Sequence, residues 1–127
     1  MADNLTNTAE NKMLDALVGT ASYSANTPIK LALVTAAGSD SAAGTEVSGG
    51  SYARQTITFN AASSGSIASA ATVSFTNMPT STVVGIELWD SAGTPVRLAY
   101  GSLTSNKSLT SGDTLEFAAG SITLSLS

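Results

Sequence analysis

Neither cysteine nor histidine occurs among the 127 residues of this chain. That excludes thiol nucleophiles, Ser-His and Cys-His catalytic pairs, histidine-held zinc or haem, and imidazole pH switches. Charge is scarce as well: five Lys and Arg and nine Asp and Glu make 11% of the chain, against about a quarter in an ordinary soluble domain. The basic residues Lys12, Lys30, Arg54, Arg97 and Lys107 are scattered singly and the net charge is −4, so nucleic acid is not an expected partner. No apolar run approaches the roughly 18 residues of a membrane span. The N-terminus, with Asp3 and Asn4, has no basic-then-apolar segment, so a chain made and kept in the cytoplasm is expected, with no membrane partner. The triplets at Asn4 and Asn106 fit the glycosylation pattern but arise easily by chance in such a sequence.

What is present is hydroxyl: 20 Ser and 17 Thr. A chain of this length forms one domain and buries about two thirds of its unfolded surface, which needs no disulfide or structural metal. The expected organisation is an N-terminal arm over residues 1–24 and a β body over residues 25–127.

The arm carries the helical signal. Leu5, Ala9, Met13 and Leu17 recur at helical spacing with Leu14 and Val18 beside them. Asn7 with Glu10 three positions on reads as the start, and Gly19 as the stop. So short a helix is marginal alone, and its Leu5, Met13 and Leu17 stripe must lie on its own domain or on a neighbouring subunit.

From Ile29 onward the period becomes two, with Gly, Ser, Asn, Asp and Pro in the breaks. Seven strands are expected, within 29–34, 52–59, around Val73 and Phe75, 83–89, 96–100, 114–117 and 121–126. Residues 83–89 are apolar on both faces except for Glu87, which places that strand centrally. In 96–100 the inward set is expected to be Val96, Leu98 and Tyr100. Asp90 to Thr94 and Ser111 to Asp113 read as turns. Stretches 36–51 and 60–71, nearly pure Ala, Gly, Ser and Thr, read as loops that connect, make assembly contacts or recognise a small ligand. The expected fold is an all-β, single β-sandwich domain, immunoglobulin-like or jelly-roll-like, preceded by one short helix.

Chemistry finds little purchase. Glu87 and Asp90 are three apart on a strand and point to opposite faces, while Asp113 and Glu116 bracket a turn. Around Asp40 a single carboxylate is too few for calcium, and Gly49-Gly50 lacks the Lys and helix of a phosphate cradle. Trp89 and Tyr100 read as core or core edge rather than a sugar platform. No catalytic residue, cofactor or metal is expected.

The stretch Gly44-Thr45-Glu46-Val47-Ser48-Gly49-Gly50-Ser51-Tyr52-Ala53-Arg54-Gln55, together with 85–90, 111–124 and 9–17, resembles a family of tailed-bacteriophage virion structural proteins described as tail-fibre-like, minor tail or head-decoration proteins. The resemblance implies virion architecture, assembled in the host bacterial cytoplasm, and carries over no catalytic residue. Arg54 is expected to hold either a neighbouring subunit or the Glu46 loop of its own chain. Leu5, Met13, Leu17, Glu46, Val47, Tyr52 and Arg54 are the interface candidates. With its own helix and no repeats or fibrous shaft, the chain is expected to be a capsid decoration (cement) protein that bridges major capsid subunits and forms homo-oligomers through many weak contacts; a tail-fibre or minor tail protein attaching to a host glycan is the alternative.

Overall fold

The computed structural model describes residues 5–126, so Asn4 of the first glycosylation triplet lies outside the described residues. One helix and nine strands follow in order: α1 (Asn7–Leu17), β1 (Lys30–Ala36), β2 (Thr45–Glu46), β3 (Gln55–Thr56), β4 (Ser66–Ala68), β5 (Val73–Met78), β6 (Ser81–Trp89), β7 (Arg97–Leu109), β8 (Asp113–Phe117) and β9 (Thr123–Ser125). The fold is all-β and sandwich-like, as expected, with nine strands rather than seven.

The main sheet runs β2-β1-β6-β7, with β3 also paired to β1; β4 pairs with β9 and β5 with β8, every pairing antiparallel. β6 is central, between β1 and β7, as its two apolar faces require. On one face of the sheet Leu31 and Leu33 stand opposite Leu88 and Ile86, with Ala99 beyond. They share a buried cluster with Phe75 and Met78 of β5, Leu115 of β8 and Ile122. Phe75 stacks on Tyr52 at 6.0 Å between ring centroids and meets the edge of Phe117 at 6.3 Å. Removing a ring so enclosed costs about 3–5 kcal/mol in general.

Three expectations are corrected here. The loops expected at 36–51 and 60–71 contain β2 and β4, because ladder bonds come from the backbone and Ala, Ser and Thr leave no apolar period to read. The expected strand 52–59 keeps ladder pairing only at β3, plus a bridge from Phe59 to Ser69. In β7 the buried residues are Arg97, Ala99 and Gly101, while Leu98 and Tyr100 are half-buried. Ala99 pairs with Leu88 on the core face and Tyr100 with Glu87 on the other, while Leu98 packs at the core's edge; a register shift between Leu88 and Trp89 brings Arg97 opposite Trp89, within reach of Glu87.

The helix also differs from expectation. Its N-cap is Thr6, whose hydroxyl accepts from Ala9 N at 3.2 Å. Leu5 bridges Ala99 and Thr6 N donates to Leu98 O at 3.0 Å, so these residues extend the sheet beside β7 and the helix begins only after them. Gly19, at φ +79°, follows the last turn as the expected stop. Because Leu5 enters as extended chain, the Leu5, Met13, Leu17 stripe is not continuous: of α1 only Ala9 is buried, and Leu17 is 80% exposed.

Candidate functional site

The second face of the main sheet buries Ala32 and Val34 of β1 beside Glu87 and Trp89 of β6, and two polar side-chain clusters lie at it. The first begins at Gly49 and Gly50, with φ of +101° and +56°. A Cβ on Gly50 would meet Asn77 O at 2.9 Å, so a left-handed turn lying against β5 requires glycine. The turn returns Tyr52 and Arg54 to Glu46 of β2. Tyr52 Oη donates to Glu46 Oε2 at 2.5 Å and accepts from Leu33 N at 3.0 Å. Arg54 donates to the same carboxylate through Nε at 3.0 Å and Nη2 at 2.9 Å, the fork geometry for which guanidinium is suited. Its guanidinium carbon lies 4.1 Å from the Trp89 ring centroid. Burial pushes the Glu46 carboxyl up, but the hydrogen bonds from Arg54 and Tyr52 outweigh it and hold the group below its usual value. Burial, and then the Glu46 carboxylate, push the Tyr52 phenol well above its own.

The second cluster anchors residues 37–44. Glu87 and Arg97 are both buried; Arg97 Nη1 lies 3.4 Å from Glu87 Oε2, and Arg97 Nη2 donates to Ser39 O. Glu87 Oε2 also accepts from Gly44 N at 2.8 Å. Tyr100 Oη donates to Asp40, and Asn7 N donates to Asp40 O at 3.2 Å, so the loop, the sheet and the start of α1 are fastened together. The hydrogen bond to Asp40 raises the Tyr100 phenol. The two clusters meet at Trp89, whose ring carries Arg54 while Arg97 stands opposite on β7. Trp89 Nε1 is the one buried side-chain polar atom without a partner among the described residues. Beside it, Asn7, Asp40, Ser41, Trp89 and Arg97 help line an open polar cleft of about 360 Å³.

The interface candidates therefore separate. Leu5 and Val47 are buried in the chain's own core. Glu46, Tyr52 and Arg54 come together and are bonded to one another, which realises the reading of Arg54 as an anchor of the Glu46 loop. Met13 and Leu17 remain on the surface. Sequence reasoning missed the Glu87–Arg97 pair; the available signal was a lone carboxylate in a strand apolar on both faces, which demands a buried donor. The carboxylates considered for acid-base work have other occupations: Asp90 Oδ1 accepts from Ala92 N and Val96 N, Asp113 Oδ2 accepts from Thr110 N, and Glu116 is exposed on β8 opposite Ser74. Among the described residues no group of three or more carboxylates is placed to hold a metal ion.

No curated protein matches the chain. A family model does, the one described as "Podophage GP4 fiber I protein gp80", over residues 4–125. That span takes in the Glu46–Tyr52–Arg54 anchor, the Glu87–Arg97 pair and every strand of the sandwich. The chain belongs to this family of tailed-phage virion structural proteins.

Proposed function

We propose that the chain is a non-enzymatic fibre subunit of a tailed-phage virion, carried on the tail rather than spread over the head as a cement protein. The observation that carries this reading is the family match, which covers residues 4–125 and names a fibre protein. The side-chain chemistry agrees with it. Glu46, Glu87, Asp90 and Asp113 each hold a loop or turn in place, and the result is a rigid β body with a hydroxyl-rich exterior. Antibody against the purified chain, applied to intact particles with gold detection, is expected to label the tail. Label over the head facets, or a virion without this chain, would overturn the proposal.

A second reading, attachment to a host-surface glycan, draws on the polar cleft at the start of α1. There Asn7, Asp40, Ser41 and Arg97 offer donors and acceptors beside the Trp89 ring, the combination that suits a polyhydroxyl ligand. Titration of the chain with host surface polysaccharide is expected to give saturable heat that Asn7→Ala weakens. A flat titration would remove this reading and leave the fibre assignment standing.

A further inference from the structure

β7 is longer than its ladder with β6 requires. Lys107 pairs with Val83 and Ser102 with Gly85, so the single residue Val84 is matched on β7 by the stretch Leu103 to Asn106. That stretch arches out of the ladder, a larger excess than the one extra residue of an ordinary bulge, and bulges re-aim side chains. Gly85 holds the root of the arch: a Cβ there would meet Gly101 O at 2.6 Å, so the strands pass closer than a side chain allows. The arch lines one side of a hollow of about 250 Å³. Ile86 and Ile122, buried in the core, form its floor with Phe117. Ser102, Thr104 and Ser105 line it with exposed hydroxyls. Lys107 is the one charged residue on its wall. It belongs to neither ion pair of the described residues, whereas the cleft at α1 sets Asp40 beside Arg97.

We infer that this hollow binds an acidic sugar residue, with the carboxylate on Lys107, the sugar hydroxyls on Ser102, Thr104 and Ser105, and the apolar face of the ring against Phe117. Size excludes larger ligands. The hollow lies below the roughly 300–1,000 Å³ of pockets that enclose drug-sized molecules, which suits one sugar ring and not a peptide or a nucleotide. Each wall hydroxyl both donates and accepts, so it meets a sugar hydroxyl in either sense. Phe117 offers the surface against which the C–H groups of a ring leave water. Charge selects the acid. One ammonium balances one carboxylate, whereas a phosphate would bring about −1.5 to −2 into the field of a chain that already carries −4. The hollow shares no residue with the cleft at α1, and the inference stands without the fibre assignment.

The test uses the full chain, isotope-labelled, with its amide signals followed by NMR as an oligosaccharide of glucuronic acid is added. The glucose oligomer of equal length is the neutral control. Saturable shifts are expected at Ser102 to Lys107 and at Phe117. An exposed charge pair changes affinity by up to about fivefold, so Lys107→Met should weaken the acidic oligomer by about that factor and leave the neutral one unchanged. Salt at about 1 M should bring the two oligomers to similar affinity on the parent chain. Thr104→Val removes a wall hydroxyl and should weaken both alike. Lys107 and Thr104 are exposed, so both variants should unfold at the parent's midpoint. No saturable shift, equal binding of the acidic and neutral oligomers by the parent, or an acidic oligomer indifferent to Lys107→Met would overturn the inference. So would shifts confined to Asn7 and Asp40, which would place the sugar in the α1 cleft instead.

Discussion

Replacing Arg97 with methionine takes away the guanidinium 3.4 Å from Glu87 Oε2 and the donor that reaches Ser39 O. The Glu87 side chain is 2% exposed, so its carboxylate can neither hydrate nor find another cation without opening the 37–44 loop. Gly44 N, at 2.8 Å, remains as a hydrogen-bond donor, which is too little for a full charge. Breaking a buried pair from one side costs about 3–5 kcal/mol, much of it from the stranded charge. At about 4 °C per kcal/mol for a domain of this size, the melting temperature should fall by about 12–20 °C. The assay is urea unfolding followed through Trp89, the chain's one tryptophan, which stands opposite Arg97 and reports the affected region directly. Adding Glu87→Gln removes the charge while keeping an acceptor for Gly44 N, so the double variant should regain at least ~1 kcal/mol over Arg97→Met alone. A loss below ~1 kcal/mol for the single variant, or a double variant less stable than the single, would refute the reasoning.

Three further outcomes are expected. Tyr52→Phe leaves Leu33 N without its acceptor and Glu46 with Arg54 as its remaining donor, and should lose about 1–3 kcal/mol in denaturant unfolding; an unchanged midpoint would show that water replaces the hydroxyl. The Glu46 carboxyl is held below its unfolded value, so its stabilising contribution is present above the ordinary carboxylate range and disappears as pH falls through the lower folded value. A Glu46→Gln variant should accordingly lose less stability than the parent between neutral and acidic pH, and parallel pH profiles would contradict this. Thr6→Ala removes the cap on Ala9 N and the bond to Arg97 O, and should lower stability by about 1–2 kcal/mol, read from thermal unfolding by circular dichroism.

The legible part of the sequence was the part that buries apolar side chains in alternation. β1, β5, β6 and β8 stand where Leu31, Phe75, Ile86 and Leu115 placed them, and the central position of β6 followed from its having two apolar faces. β2 and β4 were illegible because Thr45-Glu46 and Ser66-Ile67-Ala68 pair through backbone alone. The placing of Arg97 against Glu87 was illegible because it depends on a one-residue register shift, which no composition records. At the site, Glu46, Tyr52 and Arg54 were read as interface candidates, and the structure bonds the three to one another within one chain. The Glu87–Arg97 pair stayed hidden because Arg97 alternates with residues that look like a core face.

Four of the five cationic side chains are engaged within the chain, and Lys107 stands exposed on β7. Arg54 and Arg97 grip carboxylates of their own chain, Lys12 lies over Tyr23, and Lys30 donates to Thr56. What the body presents at a distance is its net charge of −4, so salt that screens this field should slow encounters with a cationic partner and speed those with an anionic one. The ions of the medium thus tune how often such a module meets a charged partner, while the fit of the two surfaces sets how long they stay together.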